Sequence, residues 1–182
     1  MTIDVFTLLE KDHRQVERLL AALEESEAGP ERDAVVAQLT EALQVHMRFE
    51  ETSIYPRVAQ EMGGDAAEEA NVEHRLARDG LAKLVELKAA PGFGAAVEMV
   101  KGGIGHHVEE EEGEMFPKMR RALPEADLTR MRTALLSAKR AAGLPPMDID
   151  SATKDELLDL ARVQGATVTT HMTKDEIRSV LA

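Results

Sequence analysis

A chain of 182 residues, 43% of them apolar, is long enough for one well-buried domain and a small appendage. A formal net charge of −12 argues against a nucleic-acid-binding surface, which needs clustered basic charge. The lack of cysteine excludes disulfides, thiolate zinc sites, iron–sulfur clusters and cysteine catalysis.

The first stretch, MTIDVFTLLEKDH, has neither the basic leader nor the apolar run of a signal peptide. No uncharged apolar segment approaches membrane-spanning length, so a soluble cytoplasmic protein without membrane contact is expected. Breaks at Gly29-Pro30, Gly63-Gly64, Pro91-Gly92, Pro124 and the Gly-Leu-Pro-Pro run at 143–146 separate long stretches of helical periodicity. In the first, Val5, Leu8, Leu9, Val16, Leu19, Leu20 and Leu23 keep the three-and-four spacing of one buried face. The pattern predicts helices near 4–26, 31–62, 66–89, 93–122 and 125–142, and no strand. Pro56 and Pro117 fall inside two of these and should kink or loosen them. The expected fold is all-α: an antiparallel four-helix bundle with the fifth helix packed outside, over residues 1–147.

Residues 148–182 follow a Pro-Pro linker and read as a separate helix–loop–helix module. Thr153 with Glu156, and Thr173 with Glu176, form two capping-box signatures twenty residues apart.

Two lines of the sequence rhyme. HMRFEETSIYP starts at His46 and HVEEEEGEMFP at His107, each with a glutamate four residues on and a closing aromatic–proline pair. His13 precedes the first by 33 residues (46 − 13) and His74 precedes the second by 33 (107 − 74). Every matched pair is offset by 61, so the bundle is one helical hairpin written twice. Residues four apart share a helix face, so His46 with Glu50, and His107 with Glu111, aim two side chains at one spot. His13 and His74 add an imidazole each from the other two helices. Four nitrogens and two carboxylates without sulfur suit two metal ions: iron, manganese or zinc rather than soft metals. A lone helical histidine carries little weight, but six ligand types recurring at one offset point to metal. His106 and Glu110 have the same spacing, yet only His107 and Glu111 keep the register, about 100° around the helix.

This constellation resembles the hemerythrin-like (HHE cation-binding) family over about residues 4–122. The ferritin-like rival uses Glu-x-x-His, which is not seen here in paired form. The resemblance implies a four-helix bundle around two iron ions, oxo- or hydroxo-bridged, held by His13, His46, Glu50, His74, His107 and Glu111. It implies a small ligand, a diatomic or peroxide, and three possible roles. These are peroxide decomposition (catalase-like, in oxidative stress), reversible dioxygen or nitric oxide binding or sensing, and iron storage. One departure stands out: the oxygen carriers have a second histidine one turn after the third-helix ligand, where this chain has Arg78. Peroxide handling is therefore placed ahead of oxygen carriage. Arg78 either faces the pocket, pairs with a nearby carboxylate or points to solvent. Glu51, Glu73 and Tyr55 are candidates for the missing donor, although Tyr55 also fits a packed aromatic, matching Phe116 in the repeat. The methionines, including Met47, Met99, Met115 and Met119, read as core fillers, and His171 as an exposed loop residue.

The tail resembles the small helical modules of the Rho N-terminal and SAP type, which often contact nucleic acid. Its seven acids (Asp148, Asp150, Asp155, Glu156, Asp159, Asp175, Glu176) against four bases (Lys154, Arg162, Lys174, Arg178) disfavour phosphate and favour a protein contact.

Overall fold

The computed structural model describes residues 3–181. Helix α1 (Val5–Glu24) starts where the Asp4 carboxylate accepts the Thr7 amide at 2.7 Å. Helix α2 (Pro30–Phe49) starts on a proline, whose missing N–H has no helical partner at that position anyway. After α3 (Tyr55–Met62), a single residue, Gly63, turns the chain into α4 (Gly64–Leu87) with φ of 105°, a conformation open to glycine and strained for other residues. Helices α5 (Phe93–Glu110), α6 (Phe116–Ala122) and α7 (Glu125–Ala141) follow, then α8 (Lys154–Val163) and α9 (Lys174–Leu181). No strand occurs among the described residues.

The bundle closes in a ring in which α1 packs on α2, α2 on α4, α4 on α5 and α5 on α1. Helix α7 lies across α1 and α2. The two long helices expected at 31–62 and 93–122 are each interrupted by one π turn, at Glu50–Ile54 and Glu111–Met115. Both turns sit just before a proline. The Tyr55 amide reaches back five residues to the Glu50 carbonyl, and the Phe116 amide does the same to Glu111. Pro56 and Pro117, which have no amide to donate, then restart an α-helix in its first turn. The prolines loosen the helix upstream of themselves, at the candidate ligands.

A polar layer divides the interior. Below it, Phe6, Leu9, Tyr55, Val58, Phe116 and Met119 belong to one apolar cluster; above it, Val16, Leu20, Leu39, Met47, Leu84 and Val97 belong to another. In the upper cluster α4 and α5 touch closely at Gly80, where an added Cβ would stand 2.6 Å from Val100 Cγ2. Gly80→Ala is expected to destabilise the protein by about 1–3 kcal/mol through overpacking. Val100→Ala added to it should recover part of the loss in a urea titration. Met99, expected in the core, is 55% exposed on the outer face of α5; its neighbour Val100 takes the inward position.

The Pro-Pro linker does not detach the tail. Met147, Ala152, Leu157, Leu160 and Ile177 join the same apolar cluster as Phe6 and Leu9 of α1. Lys11–Glu156 (2.8 Å) and Arg18–Asp148 (2.6 Å) fasten it along α1. Both capping boxes form: the Thr153 and Thr173 amides donate to Glu156 and Glu176 at 2.8 and 2.7 Å. His171 is exposed in the loop between α8 and α9.

Candidate metal centre

All six matched residues lie in the polar layer, at most 7% exposed. The Nε2 atoms of His13 and His46 face each other at 3.1 Å, and those of His74 and His107 at 3.2 Å. Two nitrogens each about 2.1 Å from a common ion would stand roughly this far apart. The carboxylates cross between the hairpins. Glu50 Oε2 lies 3.1 Å from His46 Nε2 and 3.4 Å from His74 Nε2, while Glu111 Oε2 lies 3.4 Å from His13 Nε2 and 3.6 Å from His107 Nε2. Each carboxylate thus touches one imidazole of each pair.

The polar accounting supports a cation here. Glu50 is fully buried, and neither of its oxygens makes a hydrogen bond of adequate geometry; Glu111 Oε2 is likewise unpartnered. A buried carboxylate with no donor is costly, and a cation between the imidazoles and these oxygens removes that cost. Without one, protons must serve. Burial pushes the His46 imidazolium down, but Glu50 and Asp12 together hold it up, to about 10. Glu50 is raised by burial, yet the facing charge of His46 carries it well below the usual carboxylate range.

Stability therefore has a defined pH dependence in the metal-free protein. His46 has its folded pKa raised above the ordinary 6.5, so its contribution is complete below about 6.5 and is lost as pH climbs towards about 10. The urea midpoint of metal-stripped protein should fall across that window. In the metal-loaded protein, whose imidazoles are already unprotonated, the fall should be absent.

The π turns decide the position of Tyr55. One extra residue per turn brings residue 55 onto the face of Glu50, and the phenol enters the layer at 2% exposure. Its hydroxyl donates to Glu111 Oε1 at 3.0 Å and lies 3.0 Å from His74 Nε2 and 3.5 Å from His107 Nε2. Phe116, at the matching position, instead lays its ring on His13, 11° from parallel with centroids 5.9 Å apart. One half of the centre has an oxygen donor where the other has only carbon.

Glu51 and Glu73, considered as replacement donors, stand behind the rings: His74 Nδ1–H donates to Glu51 at 3.1 Å and His107 Nδ1–H to Glu73 at 2.8 Å. They orient imidazoles, as carboxylates behind ligand histidines do. Asp12 and Glu112 hold the equivalent places behind His46 and His13, and sequence reasoning missed both. The signal was there, since Asp12 and Glu73 (73 − 12), and Glu51 and Glu112 (112 − 51), are each 61 apart. His13 Nδ1–H meets Glu112 at 2.8 Å, but Asp12 Oδ2 stands 3.6 Å from His46 Nδ1, because Asp12 Oδ1 is drawn to the buried ammonium of Lys139 on α7. Arg78 does not enter the cavity; it grips Glu51 from outside at 2.8 Å. His106 and Glu110 lie on the surface, with side chains 63% and 45% exposed.

This histidine–glutamate layer on a duplicated helical hairpin has a counterpart among known families. The model of the hemerythrin HHE cation binding domain matches residues 4–119. The chain belongs to that family. No match was found among curated proteins or among solved structures. The family match stops before α7, so Lys139 and the tail lie outside it, and the likeness of the tail to Rho or SAP modules finds no support. As a hemerythrin-family, metal-binding chain, the protein has His13, His46, Glu50 and Glu111 poised around one point, and Glu50, His74 and His107 around a second. No described helix is long and apolar enough to cross a membrane.

Proposed function

We propose that the centre holds two iron ions and that the protein decomposes peroxide. In this reading His13 and His46 would hold one ion, and His74, His107 and Tyr55 the other, with Glu50 and Glu111 near both pairs. The observation that carries it is the Tyr55 hydroxyl lying 3.0 Å from both Glu111 Oε1 and His74 Nε2. A phenol and two carboxylates are hard oxygen donors, which favour the more highly charged ferric state over the ferrous state that oxygen carriage needs. The chemistry such a pair supplies is two-electron redox exchange, two hydrogen peroxide molecules yielding two waters and one dioxygen. The protein's own part is positional. Glu51, Glu73 and Glu112 hold three imidazoles from behind, Asp12 faces the fourth at 3.6 Å, and the apolar residues above the layer keep bulk water away.

Protein purified from iron-replete cells should contain about two irons per chain and evolve dioxygen from peroxide. Tyr55→Phe should keep the iron, lose the visible phenolate-to-ferric absorption band and fall at least about tenfold in turnover, the usual scale for losing a centre's tuning group. A reduced wild-type protein that takes up and releases dioxygen without consuming peroxide would overturn the reading.

A second reading, capture of dioxygen or nitric oxide, is favoured by the cavity beside the imidazoles. Beyond the histidines and Glu73, its walls are apolar, with Val16, Leu43, Met47, Ile104 and Val108 offering no hydrogen bond to a peroxide. Nitric oxide binding to the reduced protein, followed by absorption, tests it.

A further inference from the structure

The cavity beside the four histidines is small, about 20 Å³, room for one water-sized molecule. A much larger groove of about 760 Å³ runs along the outside of the bundle between α4 and α5. The two spaces share four wall residues: Glu73 and Ala77 from α4, Gly103 and Ile104 from α5. The partition between solvent and the histidines is therefore thinnest there. Two of its four residues are the smallest side chains available. The groove between α2 and α4, lined by Thr40, Gln44, Arg48 and Arg78, shares no wall with the cavity and is stopped by the Arg78–Glu51 ion pair.

We infer that the α4/α5 groove is the way in by which a small neutral molecule reaches the histidine cavity, over a threshold formed by Ala77 and Gly103. The inference rests on the proposed metal centre for its purpose, but not for its geometry. Exposed apolar side chains flank the groove, Leu76 at 65% and Met99 at 55%, and suit an uncharged visitor. The acids Glu73, Asp79 and Glu86 along it outnumber the bases Lys83 and His106 and repel anions. The class admitted is thus neutral and diatomic-sized, such as nitric oxide, dioxygen or undissociated peroxide. The threshold can be altered without disturbing the bundle, because a Cβ added at Gly103 meets nothing within 4 Å.

The test is Gly103→Leu in the full chain, with Gly103→Ala as a milder variant and Gln44→Leu in the other groove as control. Far-ultraviolet circular dichroism and iron content establish that each variant is folded and loaded. Nitric oxide association with the reduced protein, by stopped flow, should slow about tenfold in Gly103→Leu, with dissociation slowed equally and Kd unchanged. Such paired slowing marks a gate, whereas a structural defect would move Kd. Entry of dissolved dioxygen into metal-free protein, measured by nuclear magnetic resonance as paramagnetic relaxation of the Val16 and Ile104 methyl protons that line the cavity, should weaken in the same variant and stay unchanged in Gln44→Leu. That arm reads the passage even if no iron binds. Equal rates in Gly103→Leu and the parent, a changed Kd, or equal slowing in Gln44→Leu would each overturn the inference.

Discussion

Stripping the metal should lower the melting temperature by on the order of 10 °C, and Glu50→Gln should abolish most of that difference. A ligand that binds only the folded chain stabilises it by about 4 kcal/mol at a thousandfold excess over Kd, and each kcal/mol moves Tm by roughly 2–4 °C in a chain this size. Glu50 is the residue on which the expectation turns. It is fully buried, faces imidazoles from both hairpins, and has two oxygens that nothing else satisfies. Glutamine keeps its volume and removes the charge that a cation needs. Differential scanning calorimetry with and without chelator compares the two proteins directly. A wild-type Tm indifferent to chelation would show that the orphaned carboxylates are tolerated without metal.

Lys139→Met should be among the most damaging substitutions away from the candidate ligands, costing about 3–5 kcal/mol, the range for removing one partner of a buried ion pair. Lys139 and Asp12 are 3% and 8% exposed, and the ammonium contacts the carboxylate directly. Burial drives the Asp12 carboxyl up, but His46 and Lys139 together hold it below its ordinary value, so it stays ionised. Removing the lysine leaves that charge dependent on His46 alone. Replacing both partners, Lys139→Met with Asp12→Leu, should recover most of the loss, since no unpaired charge then remains. Urea unfolding of both single variants and the double variant gives the coupling energy, and additive losses would show that the pair does not act as a unit.

The bundle and its six polar centre residues were legible because duplication writes the same fact twice. His13 alone means little; His13, His46 and Glu50 repeated at one offset as His74, His107 and Glu111 fix which face of each helix turns inward. Tyr55 was ambiguous for a physical reason. On a regular helix residue 55 lies about 140° past the face of Glu50, and only the π turn ahead of Pro56 brings it back into place. Asp12 and Glu112 obeyed the repeat but were masked by a chain in which acids are everywhere. Lys139 left no trace, since a lysine in a helix reads as surface until the neighbouring helix is known. Met99 failed similarly: periodicity is blurred in the glycine-rich α5, and Val100 takes the inward position. The tail's contact with α1 depends on surfaces far apart in sequence, which local patterns do not encode.

The crossing of the two carboxylates bears on how the protein could be assembled from pieces. Glu50 belongs to the first hairpin and meets His74 of the second; Glu111 belongs to the second and meets His13 of the first. Neither hairpin owns a complete set of donors, so an isolated half has no finished site to offer an ion. Cut at Gly63, the one-residue joint between α3 and α4, the protein becomes two complementary fragments. The ion is then their adhesive: affinity between the fragments rises with free metal concentration and collapses in chelator. A first fragment mixed with its own kind could in principle close the same ring as a symmetric pair, with two tyrosines where the intact chain has Tyr55 and Phe116. The single chain thus stands as a tethered dimer whose two members have been free to diverge.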